Sequence, residues 1–235
     1  ILPFLANLPP AEQRRVFRLT PGRRRIVLAT NVAETSLTIP GIRMVIDSGL
    51  ARISRYTHRT RTQRLHIEPV SRASAEQRRG RCGRLGPGVC VRLYSEEDFL
   101  RRDAHTEPEI RRSSLAGVLL TMADLRLGRI EEYPLPDPPS PAMVREGHRE
   151  LFELAALDEA QRLTPLGRQL AKLPIEPRLA RMLLAAAERK TLRDALVVVA
   201  ALACDEPRLR PAERAEEADR RQAAFRSDTS DFAAL

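Results

Sequence analysis

Residues 25–39 read Arg25-Ile26-Val27-Leu28-Ala29-Thr30-Asn31-Val32-Ala33-Glu34-Thr35-Ser36-Leu37-Thr38-Ile39. The first six, RIVLAT, form a short apolar run of β-type residues, and hydroxyl and amide side chains follow it at once. An apolar run of this length bounded by polar residues reads as a buried strand. Hydroxyls and amides at the carboxyl end of such a strand are where open α/β sheets bind their ligands. The competing reading is a capped turn, in which Thr30 and Asn31 satisfy backbone groups and nothing more. Two further runs, IRMVID (42–47) and GVCVRLY (88–94), have the same buried-strand character, with polar or helical stretches between them. ARISRYT (51–57) and QRLHIE (63–68) flank the polar HRTR and predict an arginine-rich hairpin. The fold class to about residue 103 is therefore α/β: a mostly parallel sheet with a β-hairpin.

The chain changes character beyond that point. Ile110, Leu115, Val118, Leu119, Met122 and Leu125 recur at spacings of three and four, the mark of a helix with one apolar face. Gly128 stands where a helix C-cap belongs. YPLPDPPSP (133–141) places five prolines in nine positions, as a linker or an extended segment wrapped on a small domain. A helix over about 142–156 follows. Thr164 and Pro165 then have the residue types of an N-cap and a first helical position. Helices near 177–189 and 191–203 extend an all-α tail, and the stretch from Pro207 is highly charged.

Charge is distributed unevenly. The 235 residues have a formal net charge of +9, and only Lys172 and Lys190 are lysines. Residues 1–112 hold 22 Arg against 11 Asp and Glu, whereas residues 113–235 are slightly acidic. Between Leu50 and Arg92, 11 arginines face only Glu68 and Glu76. A solvated face mixes both signs, so this stretch points to a polyanion. Arginine suits planar, bidentate contacts to phosphate better than lysine does. A codon bias towards arginine is the competing explanation of the excess as a whole.

Gln77-Arg78-Arg79-Gly80-Arg81-Cys82-Gly83-Arg84 lies inside this basic stretch. Ser74 has the residue type of a helix cap, with Gln77 three positions later as in a capping box. On a continuing helix, Gln77, Arg81 and Arg84 share one face at i, i+4 and i+7. Gly80 and Gly83 leave room for a ligand or backbone to approach. A glutamine between two guanidinium groups suits a triphosphate under attack by water, the arginines neutralising charge on the γ-phosphoryl group and the amide orienting the water. The competing reading is a basic helix lying on nucleic acid.

Taken together, ATNVAETSLTI (29–39) resembles motif V, and QRRGRCGR (77–84) motif VI, of the DEAH-box RNA helicases of superfamily 2. LPPAEQRRVF (8–17), RLYSEEDF (92–99), PEIRRSSLAGVLL (108–120) and LTPLGRQLAKLPIEPRLARML (163–183) resemble the same family, in its bacterial HrpA type. The resemblance implies a second RecA-like domain over 1–103, incomplete at its N-terminus. A winged-helix domain over 104–163 and the start of a helical-bundle, ratchet-like domain over 164–235 would follow.

It also implies roles. Gln77, Arg81 and Arg84 match the catalytic glutamine and arginine fingers. Ser36 matches a serine that senses the nucleotide state, Thr38 a threonine near the ribose, and Phe17 the aromatic residue that stacks on the base. Thr30 and Asn31 match the pair that contacts the RNA backbone, and the hairpin resembles the one that grips RNA or separates strands; the charge map adds Arg59, Arg61 and Arg64 as its phosphate contacts, and a cationic edge ribbon with no strand-separating role is the competing reading. Pro40 stands where many relatives place an aspartate near the ribose, which puts that sugar contact in doubt. The implied ligands are ATP or another NTP, and RNA held mainly by its single-stranded backbone, alone or within a ribonucleoprotein. The chain contains no GxxxxGK[ST] loop and no DEAH tetrapeptide. Mg²⁺ is therefore expected to be held by a first RecA-like domain outside this chain, which alone is expected not to hydrolyse ATP. The overall function implied is half of the ATP site and part of the RNA track of a 3′→5′ helicase. The alternative is a non-catalytic nucleic-acid-binding module.

Cys82, Cys90 and Cys204 have neither the spacing nor the even count of a disulfide or zinc framework. The longest apolar run, Ala195–Cys204, is too short to span a bilayer, and the first residues lack the features of a secretory signal. A cytoplasmic monomer with no membrane partner is expected, and the missing initiator Met suggests a fragment.

Overall fold

The computed structural model describes residues 1–18, 22, 24–34, 38–57, 60, 62–204, 210, 214–223 and 232. The chain divides into two compact units, Ile1–Ser113 and Ser114–Leu235.

In the first unit, β1 (Leu2–Phe4) pairs in parallel with β2 (Val27–Ala29). Between them lie α1 (Pro10–Arg14), with proline at its start, and a 3₁₀ turn at Arg15–Phe17. Phe4 and Val16 are fully buried there. A second parallel pair joins β3 (Met44–Asp47) to β6 (Val89–Arg92). The hairpin is formed by β4 (Leu50–Thr57) and β5 (Thr62–Pro69), in antiparallel register from Leu50↔Pro69 to Thr57↔Thr62. The helix α2 (Arg72–Arg79) lies against β3, and α3 (Glu96–Arg101) is capped by Ser95, whose hydroxyl accepts from the Asp98 N–H at 3.1 Å. The α/β class with its hairpin is thus present.

Two local expectations are corrected in this unit. The runs RIVLAT, IRMVID and GVCVRLY do form parallel strands, but they are not buried on both faces. Leu28, Met44, Ile46, Val89 and Val91 are between 42% and 65% exposed, while the intervening Val45 and Cys90 are half-buried. Side chains alternate across a strand, so among the described residues one face of these pairs is covered and the other is open. The start of α2 also differs. Its cap is Ser71, in extended conformation, whose hydroxyl accepts from the Ser74 N–H at 3.2 Å. The helix therefore begins one turn earlier than a Ser74 cap implies and ends at Arg79.

In the second unit, α4 (Ala116–Asp124) is shorter than the apolar periodicity suggests. Ile110 falls instead in a 3₁₀ turn at Glu109–Arg111, within the first unit. The Ser114 hydroxyl accepts from the Ala116 N–H at 3.3 Å and marks the helix start. Gly128 is not the C-cap. Arg126 takes the left-handed conformation just after the helix, at φ 55°, and the Leu127 N–H closes back on the Met122 carbonyl at 3.0 Å. The next helix, α5 (Pro141–Glu153), follows the proline-rich stretch and is capped by Ser140. Thr164 caps α6 (Pro165–Ala171) as its residue type predicts, accepting from the Gly167 N–H at 2.9 Å. A single antiparallel bridge, Leu157↔Leu163, precedes it. Then come α7 (Pro177–Glu188), α8 (Leu192–Ala203) and α9 (Ala215–Ala223). Leu115, Leu151, Ala156, Leu170 and Ala180 are buried in the core of this unit.

Gly167 marks its tightest crossing. A Cβ there would lie 2.1 Å from the Ala156 carbonyl oxygen, a backbone atom held by the Thr164 N–H at 3.0 Å. Neither partner can yield without breaking the cap. Gly167→Ala is expected to destabilise this unit by about 3 kcal/mol, the upper end of ordinary overpacking. Urea unfolding should show a lower midpoint at unchanged slope.

Candidate functional site

The site is built where the segment after β2 meets the turn after α2. Thr30 and Asn31 are exposed and open a 3₁₀ turn at Asn31–Glu34, anchored by the Thr30 N–H on the Phe4 carbonyl at 3.3 Å. Gln77 is exposed near the end of α2. After it the backbone tightens, with the Arg81 N–H on the Arg78 carbonyl at 3.0 Å and Cys82 N–H on Arg79 at 3.3 Å. Gln77, Arg81 and Arg84 therefore do not share a helix face, since the helix has ended before Arg81.

Tertiary contacts place the two arginines instead. Arg81 donates through NH2 to the Glu34 carbonyl oxygen at 3.0 Å, and Arg84 donates through NH1 to the Thr38 hydroxyl. Burial, and next the nearby Arg84 cation, hold the pKa of Arg81 below its ordinary value. Two guanidinium groups close enough to feel one another's charge form a donor set suited to a multiply charged anion such as a triphosphate.

The remaining predicted residues are less uniformly grouped. Phe17 is half-buried and meets Phe4 edge-on, with centroids 6.0 Å apart. Arg25 donates to the Val16 carbonyl at 2.8 Å and to that of Pro40, tying the Phe17 turn to the segment beyond Thr38. Ser36, Arg59 and Arg61 lie outside the described residues. Arg64 is exposed on the hairpin, directly opposite Arg55. Arg55 is committed elsewhere, to Glu107 at 2.7 Å and to Glu68 at 2.8 Å; the Glu68 and Glu107 hydrogen bonds raise its pKa. Arg52 projects from the opposite ribbon face, across from Ile67. The described arginines of the hairpin, Arg52, Arg55 and Arg64, thus do not all lie on one face.

Sequence reasoning missed the charge cluster behind this site. Arg78 donates through Nε to Glu34 Oε1 and through NH1 to Asp47 Oδ1, both at 2.7 Å, and through NH2 to the Leu50 carbonyl at 3.2 Å. The three side chains are 15%, 16% and 0% exposed for Arg78, Glu34 and Asp47. Asp47 also accepts from the Gly49 N–H at 2.9 Å and the Tyr94 hydroxyl at 2.8 Å. Gly49 sits at φ 72°, where a side chain would be strained and would strike the Tyr94 ring. Burial pushes the Asp47 carboxyl up, but the hydrogen bonds from Arg78, Gly49 and Tyr94 outweigh it and leave the pKa below the ordinary aspartate value. For Tyr94, burial and then the Asp47 carboxylate push the phenol up to about 12. The available signals were that Glu34 is the sole carboxylate in 29–39 and that Asp47 closes an apolar run before Ser-Gly. Among the described residues, no group of three or more His, Cys, Asp or Glu is placed to hold a metal ion, and no helix is long and apolar enough to cross a membrane.

Comparison with known proteins extends over the whole chain. Residues 1–86 match a model of the helicase conserved C-terminal domain. Residues 148–175 match the winged-helix part, and 176–235 the ratchet-like part, of the helicase associated domain HA2. The chain is 53% identical over 240 residues to the ATP-dependent RNA helicase HrpA of Escherichia coli K12, covering 100% of the chain and 18% of that protein. It is 39% identical over 232 residues to the probable ATP-dependent RNA helicase DHX34 of Homo sapiens, covering 98% of the chain and 20% of that protein. The chain thus spans about a fifth of the length of these relatives. A crystal structure of the E. coli DExH-box NTPase HrpB matches with a TM-score of 0.78 at 35% identity, over 93% of this chain and 29% of that one.

Proposed function

The chain belongs to the DEAH-box RNA helicase family, of the HrpA type, and from that premise we propose that it forms the second RecA-like half of an ATP site, with part of the RNA track beside it, in an ATP-dependent RNA helicase. The observation that carries this reading is the meeting of Arg81 and Arg84 with Glu34 and Thr38, which brings the phosphate-type donors and the segment beginning at Thr30 and Asn31 into one site.

In this reading the ATP triphosphate is bound between two lobes. Gln77 orients the attacking water, and Arg81 and Arg84 neutralise the charge that builds on the γ-phosphoryl oxygens. Their donors suit that task because a guanidinium presents a planar fork to phosphate. Phe17 lies against the base and Thr38 near the ribose, with Ser36 responding to the nucleotide state. Mg²⁺ and the P-loop lysine belong to the first RecA-like domain of the complete protein. Thr30 and Asn31 hold the RNA backbone, and Arg59, Arg61 and Arg64 add charge on the hairpin. Cycles of closure and opening between the lobes then move the protein 3′→5′ along RNA, free or within a ribonucleoprotein, as a monomer.

The experiment compares ATP hydrolysis by this chain alone with that of the complete protein. The chain alone is expected to show no turnover above background, with or without RNA. The complete protein should hydrolyse ATP, faster when RNA is added. Appreciable RNA-stimulated turnover by the isolated chain would show that the site is not shared between two lobes.

A further inference from the structure

Arg78 joins segments that sequence keeps apart. Its Nε meets Glu34 in the turn that opens with Asn31, its NH1 meets Asp47 at the end of β3, and its NH2 meets the carbonyl of Leu50, the first residue of the hairpin. The helix that carries Arg78 also carries Gln77 and leads directly into Arg81 and Arg84. Glu34 is held a second time by the Ser74 hydroxyl, one turn earlier on the same helix, and its backbone oxygen receives Arg81. The hairpin root is fixed at the same point: the Gly49 carbonyl accepts from Val70 N–H at 2.9 Å and from Arg102 NH1 at 2.8 Å.

These contacts have a mechanical consequence. All three guanidinium nitrogens of Arg78 sit on acceptors from different segments, and the side chain has little access to water. A shift of the Glu34 turn or of the hairpin root must carry Arg78 with it, or else leave a buried carboxylate without its cation. Exchanging one partner for water is disfavoured in so enclosed a place. A lysine is a poor substitute, because its three donors share one nitrogen and cannot span acceptors that Arg78 reaches with three.

We propose that the Glu34–Arg78–Asp47 cluster is the positioning device through which RNA, held on the hairpin and at Thr30 and Asn31, sets the place of Arg81 and Arg84, so that RNA stimulation of ATP hydrolysis passes through Arg78. This rests on the helicase reading above and names the residues that connect its two halves. In this proposal Glu34, Arg78 and Asp47 act through the residues they hold and not through contact with nucleotide or RNA. Coupling between two sites through such a contiguous network is established by measured coupling, and the experiment supplies that measurement.

The test uses the complete protein with Glu34→Gln, which keeps the shape and removes the charge. Turnover is measured without RNA and across an RNA titration, and melting temperature is followed alongside. RNA-stimulated kcat is expected to fall about tenfold, within the range usual for coupling between sites. RNA-free kcat should fall by much less, and the RNA concentration for half-maximal stimulation should stay near that of the unmodified protein. Ser74→Ala, which removes one hydrogen bond to Glu34 and no charge, should show the same effect in smaller measure. The proposal is overturned if both variants keep the full stimulation ratio, or if RNA-free and RNA-stimulated turnover fall to the same extent. An unmodified complete protein whose hydrolysis ignores RNA overturns the helicase reading together with this one, an outcome distinct from a ratio lost only in the variants.

Discussion

Replacing Arg81 or Arg84 by alanine in the complete protein is expected to cut ATP turnover by about 10²-fold or more, while nucleotide affinity falls far less. Groups that meet charge as it develops act mainly on the transition state, so their loss appears in kcat before it appears in binding. The expectation rests on placement: Arg81 is half-buried on the Glu34 carbonyl and Arg84 is drawn to Thr38, so both point to the segment that follows β2. Arg79→Ala is the control. Arg79 is 64% exposed and pairs with Glu76 within its own helix, a contact of a kind that adds little. Steady-state kinetics at saturating RNA, with a nucleotide titration on the same variants, separates the outcomes. If Arg79→Ala slows turnover as much as Arg81→Ala, the assignment of Arg81 and Arg84 as the phosphate-facing pair is wrong.

Arg78→Ala is expected to act on stability first. Truncation leaves the buried Asp47 and Glu34 carboxylates without their cation, and breaking a buried pair in this way costs about 3–5 kcal/mol. Chemical unfolding of the chain, compared with Arg79→Ala, should show a large drop in midpoint for Arg78→Ala and almost none for the control. Adding Asp47→Asn to Arg78→Ala should recover part of the loss, because the two residues share the interaction and their effects cannot add. The pH dependence carries the same information. Asp47 is held below the ordinary aspartate value of 3.8. Its contribution to stability is therefore present above that value and is lost as the pH falls through the lower folded-state value. In Arg78→Ala this acid-side loss should shrink, since the largest of the hydrogen bonds that lower the pKa is gone. An unfolding midpoint for Arg78→Ala equal to that of Arg79→Ala would remove Arg78 from the core of the fold.

What the sequence determined by itself lies in contacts between near neighbours. Thr164 and Pro165 announced the start of α6 because a cap is made within three residues. The alternating runs at 51–57 and 63–68 announced the hairpin because strand pairing across a short turn is local. QRRGRCGR and ATNVAETSLTI carried the resemblance to the family, because each motif is a contiguous run of residues. Tertiary structure decided the rest. The end of α2 at Arg79 took Arg81 and Arg84 off the expected helix face, and their places were set by Glu34 and Thr38, more than 40 residues away. Arg78 became the centre of a buried cluster through partners 44 and 31 positions distant, and the isolated carboxylates of those segments do not say which cation they meet. The apolar runs could not reveal that only one face of each strand pair is covered, since periodicity records which side chains prefer burial and not what lies against them. A charge far along the chain is chosen as a partner only when the fold closes and removes the water that would otherwise solvate both groups, and a single sequence read position by position does not show that step.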